Sequence, residues 1–193
     1  MRAILDAGLP VAAVISNKRN AAGLAIAEAR GVVTAVVEHK DYGTREGFDA
    51  ALSAEIEKHA PRAVALAGFM RILTPRFVDH LTGRLVNIHP SLLPAFTGLD
   101  THERALEAGV KLHGCTVHFV TAELDHGPVI AQAAVPVLPG DTADALAARV
   151  LRQEHILYPR ALGWLLGEKL VIESGTVRVK DPHAQQFLFS DRP

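Results

Sequence analysis

Short, continuously apolar runs alternate along this chain with longer stretches of helical period, the pattern of strands joined by helical crossovers. Residues 11–15 (VAAVI), 32–37 (VVTAVV), 63–67 (AVALA) and 85–88 (LVNI) are apolar at nearly every position, which predicts buried parallel strands without a wet face. Between them, Asn20 to Arg30 is alanine-rich, and Arg45 to His59 sets Phe48, Ala51, Leu52 and Ile56 at helical spacing, one stripe to lie over a sheet. Thr74-Pro75 reads as a cap followed by proline in the first turn of a short helix reaching about Leu81. Asp100 with Glu103 three residues on resembles a capping box and predicts a helix to about Ala108, stopped at Gly109.

The pattern changes beyond Gly109. His113 to Val120 and Pro128 to Val135 read as two strands that neighbour each other on the sheet, separated by the polar link TAELDHG. Asp141 or Thr142 caps a long helix to about Leu166, in which Leu146, Val150, Ile156 and Leu157 are apolar and Gln153, Glu154 and His155 form a polar interruption. LVIESGTVRVKD predicts a hairpin turning at Ser174-Gly175, and the remainder, about 181–193, a loose tail. The expected fold class is α/β: a doubly wound, mostly parallel sheet with an antiparallel C-terminal portion, in one domain over residues 1–193.

Composition narrows the partners. With 49% hydrophobic and 21% charged residues the chain is not disordered, and surface scaling buries about 70% of its unfolded surface without staples. The single cysteine, Cys115, excludes an intrachain disulfide framework and a cysteine-rich zinc module, and fits a reducing cytoplasm. Twenty Lys and Arg against 21 Asp and Glu, a net charge of -1, give no global basic field for nucleic acid or anionic lipid. No apolar run approaches the roughly 20 residues that span a bilayer, and MRAILDAGLP lacks a secretory-signal pattern, so the expectation is a soluble cytoplasmic protein with neither partner.

The densest polar cluster at a predicted strand end is Asn87-Ile88-His89-Pro90. In an open α/β sheet the carboxyl ends of strands form the ligand crevice, and alternate positions project to one face, so Asn87 and His89 share it. An imidazole moves a proton near pH 7, and an Asn amide donates to a developing oxyanion without titrating. Asp125, on the link between the next two strands, offers a carboxylate that would orient the histidine and favour its charged form. A metal hydrolase is a rival, because the chain holds ten histidines and His113, Cys115 and His118 lie close together. Strand alternation puts His113 and Cys115 on one face and His118 on the other, which argues against a shared ion, so no metal is expected.

The runs NIHPSLLPAFTGLDTHERALEAG (87–109) and HGCTVHFVTAELDHGPVIAQ (113–132) closely resemble the glycinamide ribonucleotide formyltransferases, folate-dependent enzymes of purine synthesis. AGFMRIL (67–73) and RQEHILYP (152–159) match the same family in order and spacing, so the resemblance covers about residues 1–170. It implies transfer of a formyl group from the cosubstrate N10-formyltetrahydrofolate to the glycinamide ribonucleotide amine, by direct attack through a tetrahedral intermediate. It also implies roles: Asn87 as oxyanion donor, His89 as general acid and proton carrier, and Asp125 as its partner and the anchor of a proton-relaying water. Met70, Arg71, Ile72 and Leu73 would read the pterin, with Asn87 and Asp125 adjoining the cosubstrate. Arg45 and Arg71 would face its acidic tail, and Gln153 and Glu154 would meet the ribonucleotide.

Against this family the chain departs at its start. Met1 aligns with the helix that follows an opening strand and a glycine- and serine-rich phosphate loop, so roughly a dozen residues are expected to be absent and ribonucleotide binding weakened. Formyltetrahydrofolate hydrolases and methionyl-tRNA formyltransferases share an Asn, His and Asp arrangement. The chain lacks the basic surplus of a tRNA binder, which leaves the hydrolase, and a noncatalytic folate-binding remnant, as alternative readings.

Overall fold

The computed structural model describes residues 1–180 and the backbone of 186–188. Its elements run α1 (Arg2–Asp6), β1 (Ala13–Ser16), α2 (Ala22–Glu28), β2 (Val33–Val36), α3 (Arg45–Glu57), β3 (Val64–Leu66), α4 (Pro75–His80) and β4 (Leu85–His89). They continue as α5 (Thr101–Glu107), β5 (Leu112–Phe119), β6 (Val129–Pro136), α6 (Ala143–Leu166), β7 (Leu170–Glu173), β8 (Thr176–Val179) and β9 (Gln186–Leu188). The fold is α/β: β1 with β2 and β3 with β4 pair in parallel, and pairing turns antiparallel from β4 to β5 and β5 to β6.

Several helix ends form where the sequence chemistry places them. The Thr74 hydroxyl accepts from the Phe77 amide with Pro75 opening α4, and Thr142 accepts from Ala145 at the start of α6. Asp141 does not cap α6. Its carboxylate accepts from the Leu138 amide and pairs with both terminal nitrogens of Arg149 at 2.6 and 2.8 Å, and this pairing holds its pKa down at about 2. The expected capping box at Asp100 does not form. Asp100 precedes α5 with φ 55° and ψ 38°, a left-handed conformation instead of the extended one a side-chain cap needs, and no cap hydrogen bond is made.

The sheet is divided. The strands β3-β4-β5-β6-β9 form one five-stranded sheet, β1-β2 a two-stranded one and β7-β8 the expected hairpin, with no ladder between β1 and β3 among the described residues. This corrects the expectation that every early strand is dry, since Val33 and Val36 of β2 are 55% and 38% exposed at the edge of a two-stranded sheet. Three residues of the expected loose tail, 186–188, pair in parallel with β6, while 181–185 and 189–193 lie outside the described residues.

Two apolar clusters flank the five-stranded sheet. On one side α6 lays Leu146, Val150, Leu157 and Leu162 over Val86, Cys115 and Val117, and the Tyr158 hydroxyl reaches the carbonyl oxygens of Leu66 and Val86 at 2.8 and 3.1 Å. On the other side Phe48, Leu52, Phe77 and Leu81 of α3 and α4 and their flanks pack with Leu85. The strand period therefore directs Val86 to the α6 side and Leu85, Asn87 and His89 to the α3/α4 side. No helix among the described residues is long and apolar enough to cross a membrane.

Candidate active site

Antiparallel pairing of β4 with β5 sets Asn87 opposite His118 and His89 opposite Thr116. The four side chains share the α3/α4 side of the sheet, at the carboxyl end of β4. Thr116 organises the turn that follows: its hydroxyl donates to the Ser91 carbonyl at 2.7 Å and accepts from the Leu93 amide at 3.0 Å. Gln132 on β6 donates to the Leu93 carbonyl at 2.9 Å, so the turn is fastened to two strands.

Asp125 arrives from the β5–β6 link. Gly127 lets the link fold down on its own strand, because a Cβ there would sit 1.7 Å from the Phe119 carbonyl oxygen. Asp125 itself has φ 57°, a left-handed conformation that an aspartate tolerates, and its side chain is 6% exposed. One oxygen, Oδ2, accepts from the Gly98 amide at 2.9 Å and lies 3.5 Å from His89 Nδ1. The other, Oδ1, lies 3.9 Å from His118 Nε2.

His89 is buried, and its Nε2 is 2.9 Å from the Phe96 carbonyl oxygen. A carbonyl only accepts, so Nε2 carries a hydrogen and the ring presents Nδ1 to Asp125. The 3.5 Å separation there is looser than the 2.7–2.9 Å typical of charge-assisted bonds, which leaves that edge of the ring room to exchange a proton with a third group. Phe96 and Gly98 sit on the segment before α5, and Arg104 of α5 secures it by donating to the carbonyls of Thr97 and Leu99 at 2.5 and 3.2 Å and stacking over the Phe96 ring.

The three residues expected to carry chemistry, Asn87, His89 and Asp125, thus converge through His118 within hydrogen-bond or ion-pair distances. The loop expected to read a pterin ends on the same side of the sheet. Its Met70 and Ile72 are exposed at 74% and 58%, Leu73 is buried with the α3/α4 cluster, and the Arg71 guanidinium stands 5.1 Å from the Phe48 ring centroid. Asp49 of α3 accepts from the Thr74 amide at 2.6 Å and so holds the loop's far end. Arg45 is exposed at the first position of α3.

Gln153 and Glu154 do not join this group. They lie on α6, across the sheet from Asn87, with Gln153 buried and its Oε1 without a hydrogen-bond partner among the described residues. Burial raises the Glu154 pKa, and burial followed by the Glu154 charge pushes up the thiol of Cys115, which packs in the cluster under α6.

Sequence reasoning missed His118, the Phe96 carbonyl, the Gly98 amide and Arg104. Alternation separated His118 from His113 and Cys115; only the β4–β5 pairing shows that its face is the Asn87 side.

The profile of the formyl transferase family matches residues 3–162. This chain belongs to that family. It is 52% identical over 160 residues to the phosphoribosylglycinamide formyltransferase of Escherichia coli (strain K12), covering 83% of this chain and 76% of that relative. The crystal structure of phosphoribosylglycinamide formyltransferase from Anaplasma phagocytophilum superposes with a TM-score of 0.91 at 41% identity, over 97% of this chain and 92% of that one. A formyltetrahydrofolate deformylase from Pseudomonas syringae pv. tomato str. DC3000 shares the fold at a TM-score of 0.83 and 27% identity, over 93% of this chain and 62% of that one. In this member of the formyl transferase family the polar cluster at the end of β4 is the candidate active site.

Proposed function

We propose that this chain transfers the formyl group of N10-formyltetrahydrofolate to the amine of glycinamide ribonucleotide, a step of purine biosynthesis. The observation that carries the reading is the convergence of Asn87, His89 and Asp125 at one strand end in a chain 52% identical to a phosphoribosylglycinamide formyltransferase. Transfer is favoured over hydrolysis by that identity, against 27% to the deformylase, of whose length the chain covers 62%.

Attack of the amine on the formyl carbon pushes charge onto the formyl oxygen, and the Asn87 amide is the donor for it, in the role of an oxyanion-hole donor worth about 3 kcal/mol. His89 passes a proton to the collapsing intermediate so that the folate nitrogen leaves neutral. Asp125 keeps the imidazole oriented through Oδ2, and its own carboxylate is fixed by the Gly98 amide. The amine gains the formyl group and loses a proton, the folate nitrogen loses the formyl group and gains one, and neither metal nor acyl-enzyme enters the balance.

The division of the site supports a division of substrates. We assign the folate to the α3/α4 side, with Met70 to Leu73 against the pterin and Arg45 and Arg71 toward its acidic tail. Glu154, with Gln153, meets the ribonucleotide on the α6 side, its carboxylate accepting from ribose hydroxyls. The two substrates then approach the end of β4 from opposite faces of the sheet.

Product analysis tests this reading. Incubated with 10-formyltetrahydrofolate, the protein should form tetrahydrofolate only when glycinamide ribonucleotide is present, with equimolar formylated nucleotide. Formate release without the nucleotide would replace transfer by hydrolysis, and folate binding without turnover would leave a noncatalytic binder.

A further inference from the structure

The cluster contains one buried titratable group that the mechanism leaves unused. His118 is 2% exposed, sits directly across the β4–β5 ladder from Asn87, and faces Asn87 Nδ2 at 3.4 Å and Asp125 Oδ1 at 3.9 Å. Its partners assign its tautomer. Nδ1 is 2.9 Å from the Phe119 carbonyl oxygen, which only accepts, so the ring hydrogen is on Nδ1. Burial lowers the His118 pKa, so the ring is neutral near pH 7 and Nε2 holds a bare lone pair.

We propose that His118 is a positioning residue that fixes the side-chain amide of Asn87 by accepting one of its two Nδ2 hydrogens on Nε2. An Asn amide has two ends of nearly equal shape and opposite polarity, and nothing in its own torsions selects which end faces a given neighbour. A lone pair on Nε2 repels the carbonyl end and accepts from the amino end. The second Nδ2 hydrogen is then presented at a fixed angle to the first, available to a developing oxyanion. The same lone pair repels the Asp125 carboxylate, consistent with the 3.9 Å gap to Oδ1 and with Oδ2 being the oxygen engaged by Gly98 and near His89. A single main-chain acceptor, the Phe119 carbonyl, thereby sets the polarity of the chain Phe119, His118, Asn87.

The inference rests on the proposed role of Asn87, and the experiment separates the two. His118→Leu should lower kcat at least about tenfold while the KM for 10-formyltetrahydrofolate stays within about twofold, because an effect confined to the transition state leaves ground-state binding intact. His118→Gln, which returns an acceptor near the position of Nε2, should recover much of the loss. In an Asn87→Ala background, His118→Leu should change kcat by less than about twofold, since a residue acting only through Asn87 has nothing left to orient. Losses that multiply in the double variant, as they would if His118 acted through Asp125, overturn the proposal. A normal kcat in Asn87→Ala alone overturns the reading of the site itself, and this inference with it. In the unaltered protein, nitrogen NMR of the His118 ring should give a pyrrole-like signal for Nδ1 and a pyridine-like one for Nε2 at neutral pH. The reverse assignment, or a doubly protonated ring, would be equally decisive against it.

Discussion

On one face of β5, Thr116 and His118 direct every polar atom at a named partner: Ser91 and Leu93 for the hydroxyl, Phe119 and Asn87 for the imidazole. On the other, Cys115 and Val117 lie fully buried under α6 among Val150, Leu157 and Leu162. The two faces are built from alternate residues of one strand, yet they are specified in different ways. The apolar face needs volume and tolerates exchange of one hydrocarbon for another, whereas the polar face needs each donor matched to an acceptor at a set distance. Stability and chemistry should therefore be separable by substitution along the same eight residues of β5 and its neighbours.

The strongest challenge to that separation is a cavity under α6. Leu157→Ala, at a residue 1% exposed, should cost about 2–5 kcal/mol in denaturant unfolding while kcat per folded molecule stays within about twofold of the parent. A proportionate loss of kcat would mean the two faces are coupled. On the polar face, His89→Ala or Asp125→Ala should reduce turnover at least about a hundredfold, near 2.7 kcal/mol in the barrier, with folate binding largely kept when measured by titration. Turnover at the parental rate would remove both residues from the mechanism.

A smaller effect is expected at the start of β5, on the same face as Cys115. His113 is 1% exposed with Nε2 3.1 Å from His102 Nδ1, and burial, then the His102 charge, lowers its pKa from 6.5 to about 4. The folded state thus binds this proton less readily than the unfolded chain does. The stability His113 contributes is fully present above pH 6.5 and is lost progressively as the pH falls toward about 4. Denaturant midpoints measured across that window should decline, and His113→Asn should flatten the decline; an unchanged slope would assign it to other groups. Smallest of all, Tyr158→Phe takes the donor from the buried carbonyls of Leu66 and Val86 and should cost about 1 kcal/mol, read from the urea midpoint, with no change in kcat.

The sequence was most legible where a residue's meaning is local. Thr74-Pro75, Thr142 and Ser174-Gly175 carry their structure in their own chemistry, and Asn87 with His89 follows from alternation at a strand end. Asp125 could be offered as the histidine's partner from its place on the link, but how it gets there could not be read, because nothing between residues 120 and 128 announces that Gly127 lets the link press against Phe119. His118 was weighed only as a metal ligand, because its place in the site depends on which strand lies beside it. Asp100 misled for the opposite reason: its local signal was sound, but the segment that brings Phe96 and Gly98 to the site approaches α5 with left-handed backbone, and a cap cannot form from there. The exposed valines of β2 likewise depend on the absence of a ladder from β1 to β3 among the described residues, a tertiary fact with no signature in VVTAVV.

That divided sheet sets how the molecule breathes. Four residues of β1 against four of β2, with two valines open to water, close a small cooperative unit, whereas β4 and β5 are each paired on both sides and clamped between two helical layers. Amide protons of residues 13–16 and 33–36 are expected to trade with deuterium through local opening, while those of β4 and β5 wait for global unfolding. A protease or a hydrogen-exchange experiment would accordingly meet the first strands as a loosely latched flap on an otherwise closed core, and the chemistry at the end of β4 would outlast the flap's opening.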